Sequence, residues 1–542
     1  MRHGLVFGRA DGLATGLTCF AASVAVIAAS WLWLGKPEPV SQSPLTSGEK
    51  LYCLSYAPFQ GDQTPLDPRT MISAAQIEAD LTQLAKITNC VRVYSTDYGL
   101  DQIAGIAQRH GLKVLQGLWL SSNPAKNKEQ IDDAVRLARQ YPDTIRAVVV
   151  GNEVLLRGDM SAQDLAATIR AVKSRVKVPV TYADVWEFWL RNPDVASAVD
   201  FITIHILPYW EDFPIPARNA AAHVASIRAQ VAKAFAPKDV IIGEVGWPSE
   251  GRMREGALPS PANQARVIQD VLAWAAREKV RVNVIEAYDA PWKRALEGVV
   301  GGHWGLIGDA SRQLKFQWGQ PVSNHPQWKL QAAGGIAFAF VIFGAAFFAR
   351  RDAPLPLWLA VSANASAGGV LISWALVNVP MESIGWGGWW RELTLAAVAL
   401  SAPVTLSVAT MRGVATPSLS RLIGPREQRS HDALPILVGI VMAATLLVGI
   451  VTTLGLVFDP RYRDFPFAPL TAAVVPFLTH SLVVPRPAGK RSAAELAGAL
   501  LLALSVPYIA LNEGMLNWQS LWYCGTLVGL IVSLVRVRDA QS

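Results

Sequence analysis

Two hydrophobic patterns share this chain. From about residue 50 to about residue 320, short apolar runs alternate with amphipathic segments. The apolar runs fall at 51–57, 90–95, 113–120, 145–153, 178–183, 201–208, 240–247 and 282–289. They are rich in Val, Ile and Leu with little polar alternation, as expected of parallel strands buried on both faces. Helical periodicity between them is clearest at 77–87, 130–140, 165–176 and 262–278. Eight strand–helix units in about 270 residues predict an α/β fold, the (β/α)8 TIM barrel. An open doubly wound sheet is the alternative, but it normally carries a Gly-rich phosphate turn after its first strand, and none is present.

Outside that window the apolar pattern is continuous. The stretch 17–34 is almost uncharged and long enough to cross a hydrocarbon core of about 30 Å. Further runs occur near 331–349, 355–378, 393–411, 434–457, 467–485, 493–511 and 517–535, which makes eight candidate spans. The predicted organisation is a cytoplasmic N-terminus (1–16), a transmembrane signal anchor (17–35), a linker (36–49), the barrel (50–320), and a polytopic all-α bundle of seven transmembrane helices (331–536). An uncleaved anchor is preferred to a cleaved signal peptide because the apolar run is long and no A-x-A-like site follows it.

Charge then orients the spans. Arg350 and Arg351; Arg412, Arg421, Arg426 and Arg429; Arg486, Lys490 and Arg491; and Arg536 and Arg538 make every second loop basic. The intervening loops are short and carry aromatic residues, as interfacial belts do. With the basic loops inside, both termini are cytoplasmic and the barrel faces the export side: a multi-pass inner-membrane protein with a periplasmic barrel. The formal net charge of +7 is largely this positive-inside bias and needs no nucleic-acid partner. The lipid bilayer is the partner that composition implies. Few ionisable residues fall within the spans, which argues for a scaffold or partner-docking role over transport. His480 and Glu513, the modest exceptions, are expected at solvated ends.

Of four cysteines, Cys19 and Cys524 fall in apolar spans. Cys53 and Cys90 open two consecutive strand-like runs. An exported domain permits a disulfide between them, and two buried free thiols are the equal alternative.

The chemistry lies at two strand ends. Val150-Gly151-Asn152-Glu153 and Gly243-Glu244-Val245-Gly246-Trp247-Pro248-Ser249 each place a glutamate after an apolar run, where a barrel of this kind builds its active site. Two carboxyl groups converging across the mouth are what cleavage of a glycosidic bond needs: one protonates the leaving oxygen, the other attacks the anomeric carbon or activates water. The acid should have a raised pKa from burial and from its neighbouring carboxylate. Asn152 can donate to a sugar 2-OH. Arg92, if buried in the mouth, should balance the carboxylates. Trp119, Trp186, Trp189 and Trp210 follow strands, and each is either a stacking platform or packing. His205 and His303 lack a second ligand at metal spacing and are expected to hydrogen-bond rather than hold a metal.

These segments resemble glycoside hydrolase family 17, together with Cys53-Leu54-Ser55-Tyr56-Ala57-Pro58, Val91-Arg92-Val93-Tyr94, Pro208-Tyr209-Trp210, Glu286-Ala287-Tyr288-Asp289-Ala290-Pro291-Trp292-Lys293 and His303-Trp304-Gly305-Leu306. The resemblance implies a β-1,3-glucan substrate, retention of configuration, Glu153 as general acid/base and Glu244 as nucleophile. It also implies sugar contacts from Tyr56, Tyr94, Asn152, Tyr209, Trp247, Glu286, Trp292 and Lys293, although Tyr56 and Tyr94 can equally cap the barrel core. Ala290 and Pro291 ahead of Trp292 depart from the plant enzymes. The chain looks closer to bacterial members with membrane spans that act as β-1,3-glucan glucosyltransferases, some forming β-1,6 branches. The expected partners are the glucan substrate and acceptor and a membrane glucan synthase. No cofactor is implied.

Overall fold

The computed structural model describes residues 9–423 and 432–538. Two compact units are present: Pro37–Val322, and Met1–Lys36 together with Ser323–Ser542.

The first unit is a closed barrel of eight parallel strands: β1 (Cys53–Ser55), β2 (Cys90–Val93), β3 (Lys113–Leu118), β4 (Ile145–Asn152), β5 (Val180–Val185), β6 (Ile202–His205), β7 (Val240–Val245) and β8 (Val282–Val284). They pair in chain order and β8 closes onto β1. Several are shorter than the apolar runs that predict them, because residues beyond the strand ends turn away to build the mouth. Serine caps start three of the intervening helices: Ser73, Ser161 and Ser260 each accept from a backbone N–H three residues on, each stabilising its helix by about 1 kcal/mol. The helix expected at 130–140 begins earlier, at Pro124, because Asn123 caps it and proline suits a first turn. Its first two turns are polar and carry no apolar periodicity.

At the N-terminal end of the barrel, Cys53 and Cys90 are disulfide-bonded, with Cα atoms 4.3 Å apart. The pairing of Leu54 with Val91 puts the two cysteines side by side on adjacent strands. With Leu115, Ala147, Val149 and Ala183 they form a small apolar cluster of their own.

The second unit is helical. Among the described residues, seven helices are long and apolar enough to cross a membrane: Gly12–Leu34, Trp328–Ala349, Leu355–Glu382, Gly385–Arg412, Ala433–Phe458, Ala493–Glu513 and Trp518–Val535. The remaining predicted span, 467–485, forms the shorter apolar helix Phe467–Val483 of 17 residues, about 25 Å at the usual rise. The N-terminal helix is not a separate tether. Ile27 and Trp31 are fully buried, and Ser23 shares a hydrogen bond of 2.8 Å with Ser362. Gly335 and Gly369 let two helices meet backbone to backbone, since a Cβ on Gly335 would lie 2.0 Å from the Gly369 carbonyl oxygen. His480 and Glu513 are buried rather than solvated, at 2% and 6% exposure; His480 bonds Thr410 and Glu513 accepts from Asn517. Arg426 and Arg429, which orient the spans in the sequence, lie outside the described residues, as do residues 1–8 of the N-terminal segment.

Candidate active site

Local backbone irregularities aim the two glutamates. The register of β4 against β5 shifts between Val149 and Asn152, and Gly151 and Glu153 have φ of 87° and 53°. Left-handed backbone at a non-glycine residue costs on the order of 1–3 kcal/mol and persists where the surroundings hold it. Here it turns Asn152 and Glu153 together into the mouth. On β7, Ile242 pairs with Ile204 but Glu244 pairs with His205, so Gly243 is the extra residue of a bulge. A Cβ at Gly243 would lie 2.4 Å from Thr203 Cγ2 and 3.3 Å from Arg92 Nη1. The Thr203 methyl group excludes a side chain here, and Arg92 packs tightly beside the same bare backbone.

Arg92 is 1% exposed and organises the site. Its Nη1 donates to the Gly243 carbonyl at 2.6 Å and to Glu244 Oε1 at 3.1 Å. Its Nη2 donates to Asn152 Oδ1 at 2.6 Å, which turns the Asn152 amide so that its N–H groups face away from the guanidinium. Nη1 also lies 3.2 Å from His205 Nε2. A guanidinium cannot accept, so Nε2 is the acceptor and the imidazole proton sits on Nδ1, which donates to Glu153 Oε1 at 2.8 Å. A second chain reaches Glu244 from the other side. Asn283 Nδ2 donates to Ser55 Oγ at 2.8 Å, Ser55 donates to Tyr94 at 2.7 Å, and Tyr94 donates to Glu244 Oε1 at 2.9 Å. Burial, and then the Glu244 carboxylate, push the Tyr94 phenol well up, so it stays a donor. Both inputs fall on Oε1, and among the described residues no side chain or backbone group donates to Oε2 of Glu244.

Carboxylate oxygens of Glu153 and Glu244 and a His205 nitrogen lie within 4.8 Å of one another. Such a trio resembles a cation site, but both His205 nitrogens are committed to hydrogen bonds and the Arg92 guanidinium already supplies the positive charge. The Glu153 carboxyl departs from its expected direction. Burial pushes it up, but the His205 hydrogen bond and the nearby charges, including Arg92 and Arg157, hold it below its ordinary value.

Beside the pair, Glu286 accepts from Lys293 Nζ at 2.8 and 2.9 Å. Burial raises the Glu286 carboxyl more than Lys293 lowers it. Glu297, also pushed up by burial, faces Lys293 and feels both Glu153 and Glu244. Trp292 is half-buried and packs edge-on against Phe59, their centroids 6.0 Å apart. Trp119 is 39% exposed beyond β3, with the Arg157 guanidinium 4.3 Å from its ring centre. Arg157 also donates to the Asn152 and Leu120 carbonyls, so one side chain joins the aromatic face to the Glu153 loop.

Three expected sugar contacts are instead wall residues. Tyr56 is buried and donates to Asp80 at 2.9 Å; Tyr209 is buried and donates to the Arg252 carbonyl; Trp247 is fully buried and donates to the Leu258 carbonyl. Each spends its polar atom inside the protein and presents no face to a ligand. Trp189 is likewise buried, donating to the Thr203 carbonyl. His303 makes no ring hydrogen bond to Asp289, which stands 3.9 Å away. Burial, then Lys315 and Arg294, pull the His303 imidazole down to about 3.

Sequence reasoning left out Ser55, Asn283, Arg157 and Asp184. Asn283, a lone amide between Val282 and Val284, was the available signal. Asp184 is fully buried, accepts from Tyr182 and from the Val185 N–H, and is raised by burial to about 6.

Comparison with known proteins bears on the same residues. Residues 53–305 match the family described as the BtgE/BtgC glycoside hydrolase domain. The probable beta-glucosidase btgE of Aspergillus flavus is 31% identical over 226 residues, covering 40% of this chain and 36% of that protein, so the match spans about a third of the relative. The glucan 1,3-beta-glucosidase of Candida albicans is 25% identical over 278 residues, covering 46% of this chain and 88% of that one. Among solved structures, the glycoside hydrolase family 17 beta-1,3-glucanosyltransferase from Rhizomucor miehei aligns with a TM-score of 0.44 at 26% identity, covering 49% of this chain and 95% of that one. The barrel that carries Glu153 and Glu244 is thus similar to the BtgE/BtgC glycoside hydrolase domain over 53–305.

Proposed function

We propose that the protein is a retaining β-1,3-glucan glucosyltransferase that elongates, branches or cyclises glucan, held in the inner membrane by its apolar helices with the barrel in the periplasm. The observation that carries the reading is the carboxylate pair, with oxygens of Glu153 and Glu244 within 4.8 Å. That approach of the nearest oxygens favours the separation of a retaining pair, about 5–5.5 Å, over that of an inverting one, about 6.5–9.5 Å.

In this reading Glu244 Oε2, free of the donors on Oε1, attacks the anomeric carbon. The bond to the departing sugar breaks as Glu153 gives its proton to the glycosidic oxygen. Arg92 and Tyr94 hold the nucleophile in line, and Asn152 offers an N–H to the 2-OH. The glucosyl ester on Glu244 then meets an acceptor hydroxyl, which loses its proton to Glu153 as the new glycosidic bond forms and Glu244 departs. The exposed Trp119 face is where an acceptor sugar would stack. No cofactor enters these steps.

The glucan substrate is supported by the Candida relative, of which the match covers 88% and whose name specifies 1,3-beta-glucosidase. That name also supports a second reading, in which water is the acceptor and the protein is a β-1,3-glucanase. Product analysis of laminari-oligosaccharides incubated with the full-length protein separates the two. Products longer than the substrate, including 1,6-linked ones, are expected from the transferase; only shorter products would make it a hydrolase. A glucan-binding sensor is disfavoured because binding needs no second glutamate. Turnover by the wild type that is lost in Glu244→Gln, with binding retained, excludes it.

A further inference from the structure

Among the described residues, the helical unit gathers arginines at one end with no carboxylate paired to them. The helices Gly385–Arg412, Phe467–Val483 and Trp518–Val535 finish at the same end of the bundle, and the chain just beyond them lines a cleft with Thr416, His480, Arg486, Ser533, Arg536 and Arg538. An antiparallel bridge between Arg491 and Arg538 ties the loop after Val483 to the segment after Val535. Among the described residues, no carboxylate pairs with Arg486, Arg536 or Arg538. The ion pairs of this unit lie elsewhere, at Arg350–Asp352, Arg391–Glu392 and Arg463–Asp459.

Capping of helix ends accounts for part of the cluster. Arg536 donates through Nε to the Ser481 carbonyl at 3.0 Å, and Arg538 through Nη1 to the Val535 carbonyl at 3.2 Å. Among the described residues, those bonds use one nitrogen from each guanidinium and leave the remaining fork unspent, and Arg486 caps no helix. Burial, then the like charges of Arg486 and Arg538, pull the Arg536 guanidinium below its usual value. Three guanidinium groups close enough to feel one another are stable together when an anion sits between them, and a tetrahedral oxyanion accepts from several such forks at once. Ser533 and Thr416 add hydroxyl groups to the same wall.

We propose that this cleft binds a phosphate group, held by Arg486, Arg536 and Arg538. Two sources share that chemistry: the headgroup of an anionic phospholipid, and a free phosphate or phosphomonoester. The site is independent of the reading of the barrel.

The test uses the full-length protein in neutral detergent. Native mass spectrometry follows retention of phosphatidylglycerol against phosphatidylcholine, and thermal unfolding is followed with each lipid and with inorganic phosphate. Arg486→Gln/Arg536→Gln is the site variant. Arg350→Gln/Arg351→Gln is a control for general attraction to basic loops. The expected result is that the wild type retains one anionic ligand and melts at a higher temperature with it. The site variant should bind at least ~20-fold more weakly, at about fivefold per arginine, and the control pair should match the wild type. Arg486→Lys, which keeps the charge but loses the fork, should bind with an affinity between the wild type and the site variant. Stabilisation by phosphatidylglycerol alone assigns the headgroup, and equal stabilisation by inorganic phosphate assigns the free anion. Neither ligand shifting the wild-type melt would overturn the proposal without recourse to any variant. So would equal retention of phosphatidylglycerol and phosphatidylcholine, or an equal loss in the control pair.

Discussion

The barrel and the helical unit treat buried polarity in opposite ways. In the barrel, Arg92, Glu244, Glu286 and Asp184 are all buried, and all lie on or just beyond the strands near the mouth. Each is paired or multiply hydrogen-bonded. In the helical unit, buried acids lie toward helix ends, as with Glu392, Glu495 and Glu513. Its interior is joined by neutral pairs such as Asn364 with Ser407 and Thr452 with Tyr523. A buried charge is tolerated only where partners and dipoles replace water. The barrel mouth makes that provision and concentrates it around two carboxylates. The described interior of the helical unit is joined by such neutral pairs, while its buried acids are partnered toward the helix ends, as Glu392 is by Arg391 and Glu513 by Asn517.

The contrast can be broken most severely at Glu244. Glu244→Gln should lower the steady-state turnover of laminari-oligosaccharides by on the order of 10⁴-fold or more while leaving glucan binding measurable. A smaller loss would place the nucleophile elsewhere. Glu153→Gln should cost about 10²–10⁴-fold with natural substrates. It should cost far less with an aryl glucoside whose leaving group needs no proton, because the first step then dispenses with the acid. Comparing the two substrates checks the role.

His205→Ala should reduce kcat/KM by about 10–100-fold through misplacement of both carboxylates, and it should also move the pH profile. The general acid works protonated, so kcat/KM falls as pH rises through the Glu153 pKa. His205 is among the causes that hold that carboxyl down. Removing it leaves burial to push upward, and the alkaline limb should shift to higher pH. A limb that stays in place or moves to lower pH would contradict the bond.

Trp119→Ala should raise KM for acceptor sugars by about 2–10-fold, the range expected for loss of one aromatic contact, with little change in hydrolysis of an activated donor. The smallest effect is expected in the helical unit. Asn364→Leu should change barrel turnover less than about twofold and shift stability by about 0.6 kcal/mol, the average for such pairs between membrane helices. A large loss of turnover there would dissolve the distinction between the two units.

What could be read from the chain follows the physics of each feature. Parallel strands buried on both faces write themselves as uninterrupted apolar runs, so all eight were legible, and so were the glutamates that end two of them. The ends of those runs were not, because a bulge at Gly243 or a left-handed Glu153 depends on register, which the chain alone does not carry. For the same reason Tyr56, Tyr209 and Trp247 were misplaced. An aromatic residue just past a strand can turn into the wall or toward the mouth, and only the partners waiting at Asp80, Arg252 and Leu258 decide. Ser55 and Asn283 are 228 positions apart, and their relay to Tyr94 exists only because β8 closes onto β1. The N-terminal helix was legible as apolar, but its packing against Ser362 was invisible for want of any local pattern.

The central claim is that Glu244 attacks the sugar directly while Glu153 moves the proton. Proton NMR of the newly formed anomeric centre, with borohydride-reduced laminaripentaose so that the substrate contributes no reducing end, tests it most directly when the full-length protein is followed before mutarotation. Double displacement through Glu244 predicts a new hemiacetal that appears first as the β anomer when water is the acceptor, and a new β-glycosidic bond when the acceptor is a sugar. The α anomer appearing first would mean a single displacement by water, and the roles assigned to both glutamates would be wrong.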